Sequence, residues 1–204
     1  MKFKALIISV ITLALVSLIA LGGTFALFTD DVNVKTHLKA GTLNVTLTRT
    51  NLVSEKLNTQ TGFISKIENS DDVDFSKETD KNIFDVNNNT LIVPGSKFVA
   101  EMQLSNKSDV AFNYWIEIVC NDKAMDLASQ LKITVKADTE YSASLANGLN
   151  VGSESSPVGV LAKGQSKTFY VTVEYLNLAN NNSSQGESVE FDMIIHAVQA
   201  TTSA

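Results

Sequence analysis

Cysteine is almost absent from this chain: Cys120 is the single example in 204 residues. One thiol excludes an intrachain disulfide, so the fold must hold by core packing and backbone pairing alone. Cys120 reads as a small buried hydrophobe at the end of a strand, and no neighbouring base would activate it as a nucleophile. Histidine is nearly as scarce, with His37 and His196 the whole set. Two histidines without an HExxH motif or a cysteine cluster fall short of the three protein ligands a hydrolytic zinc centre needs. Spacing leaves a Ser-His-Asp triad open, but neither histidine stands in a recognisable nucleophile context, and each reads as a strand-face residue. Proline occurs twice, so Asn, Ser and Thr supply most of the turn chemistry. Basic residues are outnumbered, 16 Lys and Arg against 22 Asp and Glu, for a formal charge of −6. A net-acidic surface repels phosphate backbones and anionic lipid heads, which argues against nucleic acid or peripheral membrane binding.

What is present begins with a membrane-seeking stretch. Lys2 and Lys4 precede the apolar run Ala5–Leu21, and Thr24-Phe25-Ala26 forms a small-residue exit. That order is the signal-peptide pattern, with cleavage expected between Ala26 and Leu27. The run is longer than an ordinary export core and slightly short of the about 20 residues of a relaxed span, so a retained anchor is the alternative. Cleavage would remove Lys2 and Lys4 and take the formal charge to about −8. The expected organisation is a signal peptide over 1–26, an N-terminal strand over 27–40 and one β-domain over 41–204.

From Leu27 the period changes. Phe28, Val32, Val34 and Leu38 fall on one face, interrupted by Asp30 and Thr36, while Thr29, Asp31, Asn33, Lys35 and His37 fall on the other. This is a strand with one apolar side. Ala40-Gly41 breaks it, and Thr42–Thr48 opens a second strand rich in β-branched residues. Residues 50–90 read as a long solvated excursion with a short strand near Phe63–Ile67. Within it, DDVDFSKETDKNI fails as an EF-hand loop: the turn glycine is missing and the twelfth position from Asp72 is Ile83. Its clustered carboxylates leave adventitious Ca²⁺ contact open.

The second half carries further strand signals at Lys97–Ser105, Val110–Cys120, Lys132–Ala137, Pro157–Leu161, Lys167–Tyr175 and Glu187–Val198. Phe112, Tyr114, Ile116 and Ile118 share one face, with Trp115 and Val119 opposite. A short helix is expected from Asp122, as its cap, to Leu131. Many short strands separated by Gly, Asn and Ser turns predict an all-β fold, an antiparallel jelly-roll-like β-sandwich with a short helix and long loop excursions.

The junction GGTFALFTD, followed by a strand and AGTLNVTL, resembles the opening of the TasA and camelysin family of SipW-type signal-peptide proteins. VPGSKFVAEMQLSNKSDVAFNYWIEI, LAKGQSKTFYVTVEY and SSQGESVEFDMIIHAVQA are similar to the family's later turns and strands, so the resemblance spans most of the chain except 50–90. It implies cutting after Ala26 by a SipW-type signal peptidase, with Leu27 as the first mature residue. It further implies a secreted jelly-roll subunit, without cofactor, that polymerises into biofilm matrix fibres at the bacterial surface. There the N-terminal strand, through Phe28, Val32, Val34 and Leu38, would be donated to the next subunit. The expected partners are then copies of the chain itself, the signal peptidase and accessory fibre proteins, with membrane contact only before cleavage. Two alternatives remain open at this point: a camelysin-like surface metalloprotease, and a minor fibre anchor or adhesin. The ligand count argues against the first.

Overall fold

The computed structural model describes residues 29–33, 43–58, 60–78, 81–85 and 92–200. Ala26, Leu27, Phe28, Val34, His37 and Leu38 lie outside the described residues, and with them the export segment and cleavage point. The described chain folds into two antiparallel sheets. One contains β1 (Thr29–Asn33), β12 (Phe191–Gln199) and β6 (Phe112–Cys120) in that spatial order. β10 (Gly159–Leu161) and β9 (Leu149–Val151) then pair with different lengths of β6. The other runs β3 (Ile64–Asn69), β2 (Val45–Leu57), β5 (Lys97–Asn106), β11 (Ser166–Tyr175), β7 (Leu131–Lys136) and β8 (Glu140–Ser144), with β4 (Val73–Asp74) also on β2.

Alternation explains why these segments are strands. Along β6 every second residue from Phe112 to Cys120 is buried and the intervening ones are half-buried. β5, β7 and β11 follow the same period. The buried faces of both sheets meet in one cluster: Met193, Ile195 and Ala197 from the first sheet join Leu47, Met102, Ile133 and Val171 from the second. Period-two sequences with one apolar side have no other way to hide that side, and the result is an all-β sandwich. Cys120 is buried at the end of β6, the place its sequence context implied.

Turn chemistry sets the connections. Asn106 ends β5 fully buried; its amide donates to the Val110 carbonyl at 2.8 Å and the Leu161 carbonyl at 2.9 Å. Its Oδ1 accepts from the Ser108 amide at 2.9 Å and from the Ser108 hydroxyl, so the turn at 106–109 carries the chain from one sheet to the other. At Val93–Ser96 the Ser96 amide donates to the Val93 carbonyl at 2.8 Å, and Gly95 adopts φ 92°. A side chain there would be strained, which accounts for the Pro-Gly pair.

Three expectations are corrected. Residues 50–57 are not excursion, because β2 continues to Leu57 across a bulge between Arg49 and Asn51. The excursion beyond it is anchored, since Val73, Phe75, Ile83 and Phe84 are all buried. The helix spans only Asp126–Gln130, and we call it α1. Asp122 does not cap it; its carboxylate accepts the Glu190 amide at 2.7 Å. The helix start is met instead by Glu187, whose carboxylate accepts the Leu127 amide at 2.8 Å. Leu131 leaves the helix because it pairs with Tyr175 as the first residue of β7. These uses of Glu187 and Glu190 explain why β12 begins at Phe191 rather than at Glu187. β8 and β9 lie in stretches without a strong strand signal.

Candidate functional site: the edge that carries β1

β1 is an edge strand, and β12 is the only described strand with which it pairs. Thr29 stands opposite Val198, Asp30 opposite Ala197, Asp31 opposite His196, Val32 opposite Ile195 and Asn33 opposite Ile194. Ile195 and Ala197 are completely buried, so the positions of Asp30 and Val32 belong to the inward row. Of the residues expected to form the polymerisation face, Val32 is the one the structure describes, and it holds an inward register position. In the single chain, then, residues 29–33 of the expected N-terminal strand pair within the chain's own sandwich.

The outward row next to β1 carries a side-chain cluster. His196 stacks on Trp115 of β6, with ring centroids 4.9 Å apart and planes within 6°. Its Nε2 lies 2.9 Å from Oε2 of Glu117, also on β6. The carboxylate can only accept, so Nε2 carries the proton in this contact. The His196 side chain is 17% exposed and that of Glu117 36%. Trp115 and His196 are direct cross-strand partners, and a flat aromatic pair is a favourable use of that position.

Elsewhere, the segment 73–85 touches both sheets, with β4 pairing on β2 and buried aromatic residues beyond it. Phe84 sits between Phe98 of β5 at 5.9 Å and Phe191 of β12 at 6.2 Å, bridging the two layers. It is held by Arg49, the only arginine in the chain, which is 1% exposed. Arg49 Nη1 donates to the carbonyls of Ile83 at 2.9 Å and Asn82 at 3.3 Å. Nη2 makes an ion pair with Asp85 Oδ2 at 2.9 Å. Nε has no hydrogen-bond partner among the described residues. Asp85 is the one non-glycine described residue at positive φ, 51°, a left-handed geometry that aspartate tolerates better than most residues. Sequence reasoning misses Arg49, although the signal is present: it continues the inward series Leu43, Val45, Leu47, an arginine on an apolar face.

At the start of this segment, burial pushes the Asp74 carboxyl up, and hydrogen bonds from Lys77 and Ser76 more than offset it, leaving it below the ordinary carboxylate value. Burial raises the Cys120 thiol above its ordinary value, which keeps it protonated near neutrality. Among the described residues, no three His, Cys, Asp or Glu side chains are grouped so as to hold a metal ion. No helix among the described residues is long and apolar enough to cross a membrane. In the acidic run Asp72 precedes β4, Asp74 lies within it, and Ile83 is in the core. Compared with known proteins, the chain matches no protein-family model and no curated protein.

Proposed function

We propose that this chain is a secreted structural subunit that polymerises into extracellular biofilm matrix fibres, handing its N-terminal strand to the next subunit. The observation that carries the reading is the position of β1 at the sheet edge, paired along five residues with a strand at the far end of the sequence. Main-chain hydrogen bonds to an edge do not depend on which copy supplies the strand. Residues 34–42 join β1 to the rest of the domain, and fully extended they reach about 30 Å. An exchange between copies therefore conserves the backbone bonds while linking the subunits, and head-to-tail exchange gives an open filament rather than a closed ring. Because the bonds broken and made are alike, subunit concentration and strain in the connection decide whether closed monomers or filaments predominate. The family resemblance at the export junction supports the secreted location, and cleavage after Ala26 would free the strand to leave.

The test is electron microscopy of the chain beginning at Leu27, beside the same chain lacking residues 27–39. The expected result is filaments from the first and a folded, filament-free domain from the second. A synthetic 27–39 peptide should raise the melting temperature of the shortened domain by mass action. Filaments of normal length from the shortened chain, or its outright unfolding, would place the joint elsewhere.

A further inference from the structure

We infer that His196 is the positioning residue that sets the register of the strand lying along β12, with Asp31 as its counterpart. In its intermolecular form this inference rests on the exchange reading above; within one chain it stands alone. The problem it solves is that the apolar face cannot choose a register by itself. A slip of one residue would turn the strand inside out, which the inward row forbids. A slip of two keeps every side chain on its face. The inward residues of β12 are Met193, Ile195 and Ala197, all completely buried and all apolar, so Val32 would meet an acceptable neighbour in three registers.

The outward row does discriminate. Across β6, β12, β9 and β10 the outward positions hold two acids, Glu117 and Asp192, and a single base, His196. Of the strand's two adjacent acids, Asp30 holds an inward register position and Asp31 comes to this acidic face. In the observed register Asp31 takes the place opposite His196, in the row Asp31–His196–Trp115. Slipping by two in one direction would put Asp31 opposite Ile194, in the row whose third member is Glu117. That slip would also carry Asp30 from Ala197 to Ile195, deeper in the inward row. The opposite slip would put Asp31 beside Val198 and Asn113, with no base to meet it. A carboxylate is favoured opposite the one basic side chain of this face and disfavoured beside another carboxylate. His196 is fixed in place to make this choice, because the Trp115 stack and the Glu117 contact hold its ring in one orientation.

Register is read directly by disulfide trapping in the chain beginning at Leu27. Asn33→Cys with Ile194→Cys reports the observed register, and Asn33→Cys with Asp192→Cys reports the slip of two. The first pair should close readily in the parent sequence. Asp31→Lys should reduce that closure about fivefold and raise the second, on the order expected when an attractive cross-strand pair becomes repulsive. Asp31→Asn should give an intermediate loss, and restoring opposite charge with Asp31→Lys, His196→Glu and Glu117→Gln together should recover the first closure. Unchanged trapping in Asp31→Lys overturns the inference, and because this change lies on an edge strand it leaves the domain able to report. For assembly, Asp31→Lys chains and His196→Glu/Glu117→Gln chains should each extend filaments poorly alone and co-assemble alternately when mixed. If the parent makes no filaments while trapping still shifts as expected, exchange between subunits fails and the register role within the chain holds. If both variants extend filaments unmixed, with native trapping, the register role fails and exchange survives.

Discussion

Two pieces of chain are added to this sandwich, and they are fastened in opposite ways. The segment 73–85 is tied by side chains: Phe84 wedges between the sheets and Arg49 grips two carbonyls and a carboxylate. β1 is tied along an edge by the backbone pairing that any strand of suitable face could make. The first fastening is specific to these residues and cannot be lent to another copy. The second is transferable in principle, and only its inward row and the Asp31–His196 position distinguish one strand from another. A protein that assembles by strand exchange needs both kinds, a core that stays closed and an edge that can be handed over.

The largest loss is expected at the side-chain fastening. Arg49→Ala should leave the buried Ile83 carbonyl without its donor and Asp85 without its counter-ion, at about 3 kcal/mol in a denaturant titration. A loss below about 1 kcal/mol, in the range of an exposed pair, would show that the clasp contributes little. Phe84→Ala should cost about 3 kcal/mol by opening a cavity between the layers. For both variants, amide exchange at 194–198 should change no more than global stability requires, since β1 is fastened independently.

Val32→Asp acts on the other fastening. A charge at the inward position opposite Ile195 is expected to release β1, so the main-chain amides of β12 that pair with it should lose exchange protection by about tenfold or more. The two-sheet core should melt within about 1 kcal/mol of the parent. Equal loss of protection in β5 and β6 would show that β1 is integral to the fold rather than an addition to its edge.

Asp85→Asn sharpens the account of the clasp. Asparagine also tolerates the left-handed conformation, so the substitution removes the ion pair without adding backbone strain, and a loss of about 1 kcal/mol is expected. The smallest effect concerns pH. The Asp74 carboxyl is held below its ordinary value of 3.8 by Lys77 and Ser76, against burial. A depressed carboxylate contributes stability that is complete above the unfolded value and disappears as pH falls through the folded one. Asp74→Asn should therefore lower the melting temperature slightly at pH 6 and make no difference well below pH 3.8.

Much of this architecture is legible in the residues. Alternation alone places β5, β6, β7 and β11 within two residues of their observed bounds. The turns at Val93–Ser96 and Asn106–Asp109 follow from Pro-Gly and Asn-containing stretches. What escapes has its partners far away in sequence. Periodicity cuts β2 short because its second half has a bulge that shifts the alternation, with Leu47 and Arg49 inward before it and Leu52 and Ser54 after. Helical spacing overextends α1 because Leu131 suits a helical face as well as a strand, and pairing with Tyr175 decides for the strand. The acidic excursion looks solvated by composition, yet four apolar residues within it are buried.

By itself, then, the amino-acid order determined the longer central strands and which side of each is apolar, because a period of two is written into neighbouring residues. It also placed the export-like junction ahead of an alternating strand. Tertiary structure alone decided that β1 lies against β12, that Arg49 is buried beneath Asn82–Asp85, and that Trp115, Glu117 and His196 meet. Those pairings join residues tens to more than a hundred positions apart, and the side-chain rules that operate along a strand carry no information about them. They are settled by which arrangement of two apolar sheets leaves the least surface in water and the fewest buried polar groups unpaired.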